Sequence, residues 1–190
     1  MKVGLYFGSF NPIHVGHLII ANHVLNTTDI QKIWIILSPQ NPLKKSNSLL
    51  NEYDRLHLAR LAVEQDNRIT VSDIEFKLPR PSYTVDTLTY LKEKYPDNEF
   101  AVIMGSDSYQ NLNNWKNYPV IINNYPVYVY TRPSFPVTAD YGVPPNILDA
   151  PLLQISATEI RKLAADGKSI RYMVPDKVME EIEKSRYYKK

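Results

Sequence analysis

The stretch Lys2-Val3-Gly4-Leu5-Tyr6-Phe7-Gly8-Ser9-Phe10-Asn11-Pro12-Ile13-His14-Val15-Gly16-His17 decides the fold. Its first part, Val3–Phe7, is a continuous apolar run that stops at Gly8, which predicts a short buried strand. A tight turn follows. A helix is then predicted over His14–Asn26, where Leu18, Ile19, Ala21, Val24 and Leu25 recur near the 3.6-residue period. A strand that feeds a helix through a short turn leaves backbone N–H groups free at the helix start. With the Ser9 hydroxyl these make an anion site. His14 and His17, three residues apart, fall on one side of that helix. Gly16 between them carries no side chain and lets a ligand come close. The same His spacing could seat zinc, but there is no cysteine and no third ligand in view.

The rest of the chain repeats the pattern. Ile33–Leu37 is a second apolar run, and Ser38–Leu50, with Pro39, Pro42, Lys44 and Lys45, reads as a loop. Glu52–Glu64 reads as a helix, in which Arg55 and Arg60 are taken as ordinary helix-face cations. Ile69–Phe76 gives one or two short strands, Thr84–Lys94 a helix, and Phe100–Met104 a buried strand ending at Gly105. Val127–Tyr130 is β-rich. Pro133–Pro151 reads as one long irregular stretch, and helices are expected near Ala157–Ala165 and Pro175–Ser185, with Gly167 ending the first of them. Strand and helix alternate, which predicts an α/β fold: a doubly wound, mostly parallel sheet with helices on both faces. Residues 1–190 are expected to form a single domain, with a small helical part over about 155–190. In such sheets ligands bind beyond the carboxyl ends of the strands, which points to Gly8–His17, Ser38–Lys45 and Gly105–Asp107.

Composition narrows the chemistry. The 190 residues include no cysteine, so a disulfide framework, thiolate metal sites and thiol catalysis are excluded. The net charge is +2, which argues against a dedicated nucleic-acid or anionic-membrane binder. The longest apolar runs fall far short of a bilayer span, and the N-terminal run is too short for a signal peptide, so a cytoplasmic location is expected. Gly167-Lys168-Ser169 mimics the end of a P-loop, but Lys162 stands where the upstream glycine belongs. The Tyr-rich stretches Tyr125–Tyr130 and Tyr187-Tyr188 could serve as surface or as an interface in a homo-oligomer.

Gly8–His17 resembles the H-x-G-H signature of the adenylyl- and cytidylyltransferases. Ile155-Ser156-Ala157-Thr158-Glu159-Ile160-Arg161 resembles their second signature, ISSTxIR, with Ala157 in place of the second Ser. Read physically, this is another helix N-terminus with hydroxyls and an Arg. Pro81–Leu88 resembles the SYTxDTL segment of the bacterial nicotinate-mononucleotide adenylyltransferases. Met104–Asp107, with Leu112 and Trp115, resembles their G-x-D-x4-L-x2-W stretch. Pro39–Lys44 resembles their basic loop, with Leu43 where a His is usual.

The resemblance implies a Rossmann-like fold and adenylyl transfer from ATP to nicotinate mononucleotide. It assigns His14, His17, Lys44 and Arg161 to catalysis, with Lys45 an alternative cation to Lys44. Gly8, Ser9, Phe10, Gly16, Gly105, Asp107, Ser156 and Thr158 fall on the ATP side. Thr84, Trp115 and Lys116 fall on the nicotinate side. Mg²⁺ is expected with ATP, held by substrate phosphates and water rather than by protein ligands. Asp86 is read as a first-turn residue suited to the helix dipole rather than as a ligand.

Overall fold

A computed structural model describes residues 1–40, 49–151 and 154–189. The predicted first unit is present: strand β1 (Lys2–Gly8) runs through a turn into helix α1 (Val15–Thr27). Strand β2 (Lys32–Leu37), helix α2 (Glu52–Val63), strand β3 (Ile69–Ser72), helix α3 (Thr84–Lys94) and strand β4 (Glu99–Gly105) follow. Then come helices α4 (Ser106–Gln110) and α5 (Tyr118–Asn124), strands β5 (Val127–Tyr130) and β6 (Asn146–Leu148), and helices α6 (Ala157–Ala165) and α7 (Asp176–Lys184). Among the described residues the strands form one sheet in the order β3-β2-β1-β4-β5-β6, and every pairing is parallel.

Strand residues alternate between two cores because successive side chains leave opposite faces of a sheet. Tyr6, Ile33, Ile35, Leu37 and Ile103 pack with the apolar stripes of α1, α2, α6 and α7. Val3, Leu5, Ile36, Val102 and Val129 pack with α3, α4 and α5. The sheet therefore grows from β1 toward β3 with helices on one face, then from β4 toward β6 with helices first on the other. The order reverses between β1 and β4. The two adjacent strand ends there, Gly8 and Gly105, flank the crevice where such sheets bind ligands.

Four local expectations are corrected. His14 precedes the helix instead of opening it: it is the N-cap residue, with extended backbone (φ −145°). Ile69–Phe76 is one strand and then a 3₁₀ turn over Ile74–Lys77, because the Ser72 hydroxyl accepts the Ile74 N–H (3.3 Å) and bends the chain. Pro133–Pro151 is not wholly irregular: Asn146–Leu148 adds the edge strand β6, with Leu148 buried. An edge strand has one ladder partner, so prolines can crowd its ends. The short helices α4 and α5 were not foreseen, although Pro119 stands in the first turn of α5, where proline is suited. Gly167 does end α6: at φ +68° it donates to Ala164 O (3.2 Å) while Lys168 N–H reaches Leu163 O (2.8 Å). Among the described residues no helix is long and apolar enough to cross a membrane.

Candidate active site

The site is built outward from the end of β1. Phe10 turns the chain with a left-handed backbone (φ +45°) and buries its ring. A methyl at Gly8 would lie 3.0 Å from that ring, so Gly8 makes room for Phe10. Beyond the turn the His14 and His17 rings stack, with centroids 3.6 Å apart and planes at 27°. Phe10 meets His17 edge-on at 4.9 Å. The His14 backbone N–H donates to His17 Nδ1 (3.2 Å), so His17 Nδ1 is the acceptor and Nε2 is left as the N–H donor.

His14 is almost fully buried (6% exposed), and among the described residues its Nδ1 has no hydrogen-bond partner. Burial, reinforced by the charge of Arg132, lowers its pKa from 6.5 to about 4. The ring is therefore neutral at pH 7. At Gly16 the structure shows a first reason for the missing side chain: a methyl there would lie 3.0 Å from His14 Nδ1 and 3.1 Å from Cε1, so the imidazole takes that room.

The second predicted motif meets the first. Arg161 on α6 donates from Nη1 to Asn11 O (2.7 Å) and from Nη2 to Thr158 Oγ1 (3.2 Å). Ser156 is the N-cap of α6, its hydroxyl accepting the Glu159 N–H (3.2 Å). Ser156 and Thr158 are both exposed at this helix start. Asn11 also ties in the C-terminus: its Oδ1 accepts the Leu50 N–H (3.2 Å) and the Tyr188 hydroxyl (2.8 Å). The Tyr187-Tyr188 stretch thus packs on this chain's own site, with Tyr187 donating to Asp54 (3.0 Å).

At the end of β4, Asp107 Oδ1 pairs with Arg132 Nε at 3.3 Å. Gly105 leaves space for that pair: a methyl there would lie 2.5 Å from Asp107 Oδ1 and 3.0 Å from Arg132 Nε. The Arg132 backbone N–H donates to Ser106 Oγ (2.8 Å), and its guanidinium reaches the Tyr130 hydroxyl (3.3 Å). Sequence reasoning missed Arg132, although it stands two residues past the end of β5, where the strand-end rule looks for ligands.

A third cluster gathers at the start of α3. Thr84 opens the helix, and its N-cap Tyr83 supplies no side-chain cap. Lys116 Nζ lies 4.8 Å over the Tyr83 ring and 2.8 Å from Asp86 Oδ2. Asp86 is thus a first-turn residue in an ion pair. Trp115 is half-buried against the second core. The buried carboxylate of Glu75 holds this corner, accepting from Ser82 Oγ (2.7 Å) and Thr87 Oγ1 (2.9 Å). It also accepts from the Ser38 hydroxyl, and burial raises its pKa despite these donors. Ser38 in turn donates its N–H to Gly8 O (2.9 Å), which links this corner to the histidine turn. Lys44, with Lys45, lies outside the described residues.

Arg55 is misread by the helix-face argument. It is fully buried, and its guanidinium binds backbone carbonyls at the ends of β1 and β2. The signal was available: Arg55 shares the stripe of Leu58, Ala59 and Val63 on α2, the face that turns inward.

Stacked imidazoles at a helix start, an arginine brought in from a second helix start and a strand-reversal crevice are the parts of a nucleotidyltransferase. Residues 5–163 match the cytidylyltransferase-like family model, and the chain belongs to that family. Within it, the chain belongs with the nicotinate-nucleotide adenylyltransferases. It is 51% identical over 193 aligned positions to the probable nicotinate-nucleotide adenylyltransferase of Flavobacterium johnsoniae, with 100% of both chains covered. It is 50% identical to that of Cytophaga hutchinsonii, covering 99% of this chain and 98% of the relative. In fold it is similar to the Plasmodium falciparum nicotinic acid mononucleotide adenylyltransferase complexed with NaAD, with a TM-score of 0.81. That likeness covers 98% of this chain and 97% of the other at 20% identity.

Proposed function

We propose that this enzyme transfers the adenylyl group of ATP to nicotinate mononucleotide, giving nicotinate adenine dinucleotide and pyrophosphate. The observation that carries the reading is the stacked His14–His17 pair, with Arg161 brought to the same turn by its bond to Asn11 O. The substrate class rests on full-length relatives at about half identity that carry this name. An oxygen of the mononucleotide 5′-phosphate attacks the α-phosphorus of ATP, and the bond to the bridging oxygen of the β-phosphate breaks. The nucleophile is already an anion, so no strong base is needed, and the protein acts by placement and charge stabilisation.

His17 donates from Nε2 to the phosphate oxygens as charge builds on them. His14, neutral and buried, stacks against it and adds a second ring N–H. Arg161, with Lys44, neutralises the triphosphate, and Ser9, Ser156, Thr158 and the backbone N–H groups around Phe10 complete its cradle. Asp107, next to Gly105, faces the adenosine side. The N–H groups at the start of α3, at Thr84, suit a carboxylate, and Trp115 beside Lys116 offers a ring to a pyridinium.

Among the described residues no group of three or more His, Asp or Glu side chains is placed to hold a metal. We assign Mg²⁺ to the ATP substrate, on its phosphates and water, because Mg²⁺ keeps much of its water and binds nucleotide phosphates in such reactions. The reaction is placed in the cytoplasm, with small-molecule substrates and neither nucleic acid nor membrane as partner.

One assay tests the reading. Pyrophosphate release is followed from ATP or CTP, offered with nicotinate mononucleotide, nicotinamide mononucleotide or phosphopantetheine. Turnover is expected with ATP and nicotinate mononucleotide, and His17→Ala should lower it by about 10²–10³-fold. Preference for the nicotinamide substrate would defeat the carboxylate reading, and near-wild-type turnover of H17A would defeat the role of His17.

A further inference from the structure

Arg55 is the most deeply buried charge among the described residues, with 0% of its surface exposed. Burial lowers its pKa from the ordinary value, but a guanidinium starts so far above neutrality that it stays charged. Among the described residues it makes no ion pair. Its donors go to backbone carbonyls: Nε to Leu50 O (2.8 Å), Nη1 to Ser9 O (2.7 Å) and Ser38 O (2.8 Å), and Nη2 to Pro39 O (2.9 Å). Ser9 follows β1 and begins the histidine turn. Ser38 and Pro39 follow β2. Leu50 stands just before α2. One rigid, planar fork therefore fixes three separate pieces of backbone at the carboxyl edge of the sheet.

Peptide planarity gives this a consequence. In a trans peptide the C=O and the following N–H point in opposite directions. A Ser9 carbonyl aimed at the guanidinium turns the Phe10 N–H the other way. A Pro39 carbonyl aimed at it does the same to the Gln40 N–H. A buried cation that collects carbonyl oxygens thus presents the opposite, N–H side of those peptides away from itself, as an anion site requires.

We infer that Arg55 is a positioning residue for adenylyl transfer, orienting the Ser9–Phe10 and Pro39–Gln40 peptides toward the triphosphate without touching substrate. The inference rests on the adenylyl-transfer reading. Thr84, Trp115 and Lys116 rest chiefly on α3 and the segment before α5, and Arg55 reaches their corner only at one remove, through Ser38 and Glu75. Loss of Arg55 should therefore strike ATP binding and turnover more than nicotinate mononucleotide recognition.

The test uses the full chain and three variants, R55K, R55A and R60A, the last replacing an exposed cation on the same helix. Lysine keeps the charge but cannot span these carbonyls, because a single ammonium replaces a fixed fork. Folding is checked first by circular dichroism and thermal melting, and kinetics are run well below each variant's melting point. For R55K, kcat is expected to fall by about 10²-fold, since an ångström of misplacement is enough for that. The KM for nicotinate mononucleotide should stay within about 3-fold, and R60A should match wild type. Guanidinium ion at tens of millimolar should restore part of the R55A rate, and equal sodium chloride should not.

Should R55A fail to fold, R55K decides. Wild-type kcat in folded R55K overturns the inference. So does a loss of rate that only tracks the unfolded fraction. Calorimetric titration with MgATP alone separates this inference from the reading it rests on. If wild type turns over no nicotinate mononucleotide, the substrate reading fails, yet weaker MgATP binding by R55K than by wild type still upholds Arg55. Equal MgATP binding then overturns it.

Discussion

His14 should make the fold acid-sensitive in a pH range where ordinary carboxylates do not. Its ring is 6% exposed, and its pKa falls from 6.5 to about 4. The folded chain therefore holds His14 neutral under conditions where the unfolded chain would protonate it. A base with a depressed folded pKa contributes its full stability above pH 6.5. That contribution is lost as pH falls through 6.5 toward 4, because the unfolded state then binds the extra proton. At 1.36 kcal/mol per pH unit, the full loss is about 3 kcal/mol. Between pH 7 and pH 5 it is about 2 kcal/mol, since the folded ring is still almost wholly neutral at pH 5.

Asp29, Glu52 and Asp66 also have lowered pKa values, but each acts below its ordinary value of 3.8 to 4.5 and leaves this window largely untouched. Glu75 acts with the opposite sign: its raised pKa favours the fold in acid and costs stability as pH rises. Comparing wild type with His14→Asn cancels these shared terms. Urea unfolding at pH 7, 6 and 5 should show wild type losing about 2 kcal/mol more than the variant across the range. Parallel curves for the two proteins would refute the argument, as would an NMR titration that gives His14 an ordinary imidazole pKa.

Gly16→Ala should leave the fold intact and lower kcat at least about tenfold, because the new methyl falls 3.0 Å from His14 Nδ1 and must displace the ring. Steady-state kinetics with a parallel thermal melt check it. Arg132→Ala removes the charge that helps to depress His14, so the His14 pKa should rise from about 4, read by NMR. Glu75→Ala strands the Ser82 and Thr87 hydroxyls and should cost about 2–4 kcal/mol in urea unfolding, with KM for nicotinate mononucleotide rising more than KM for ATP. Tyr188→Phe loses one bond to Asn11 and should cost about 1 kcal/mol by the same measurement.

The layout of the sheet was legible because it rests on runs of local sequence. Val3–Phe7, Ile33–Leu37 and Phe100–Met104 are each apolar enough to demand burial on both faces, and Val127–Tyr130 matched its strand end for end. Strand ends then pointed to Gly8 and Gly105. What those two glycines and Gly16 do was not legible. Each leaves space that this chain's own side chains fill: Phe10 at Gly8, His14 at Gly16, Asp107 and Arg132 at Gly105. A glycine letter reports that a side chain would not fit, and gives no sign of what takes the room. Glu75 and Arg55 escaped for a related reason. Their partners are hydroxyls and carbonyls scattered along the chain, so no spacing rule connects them. Only the place of Arg55 on an apolar stripe carried a local clue.

The buried titratable groups also bear on the kind of chemistry the site performs. A general acid or base works best with a pKa near the working pH. His14, at about 4, is pushed well away from neutrality, and Arg55 remains a cation throughout. Neither is poised to exchange a proton during turnover. Both are fixed in place: His14 by the Gly16 gap and the His17 ring, Arg55 by the carbonyls at the ends of β1 and β2. Burying such groups costs stability, and a site that needed proton transfer would spend that cost on tuning a pKa. Here it goes into the orientation of a ring and of two peptide planes. That suits a reaction whose nucleophile arrives already charged and whose barrier falls with the placement of donors around phosphorus.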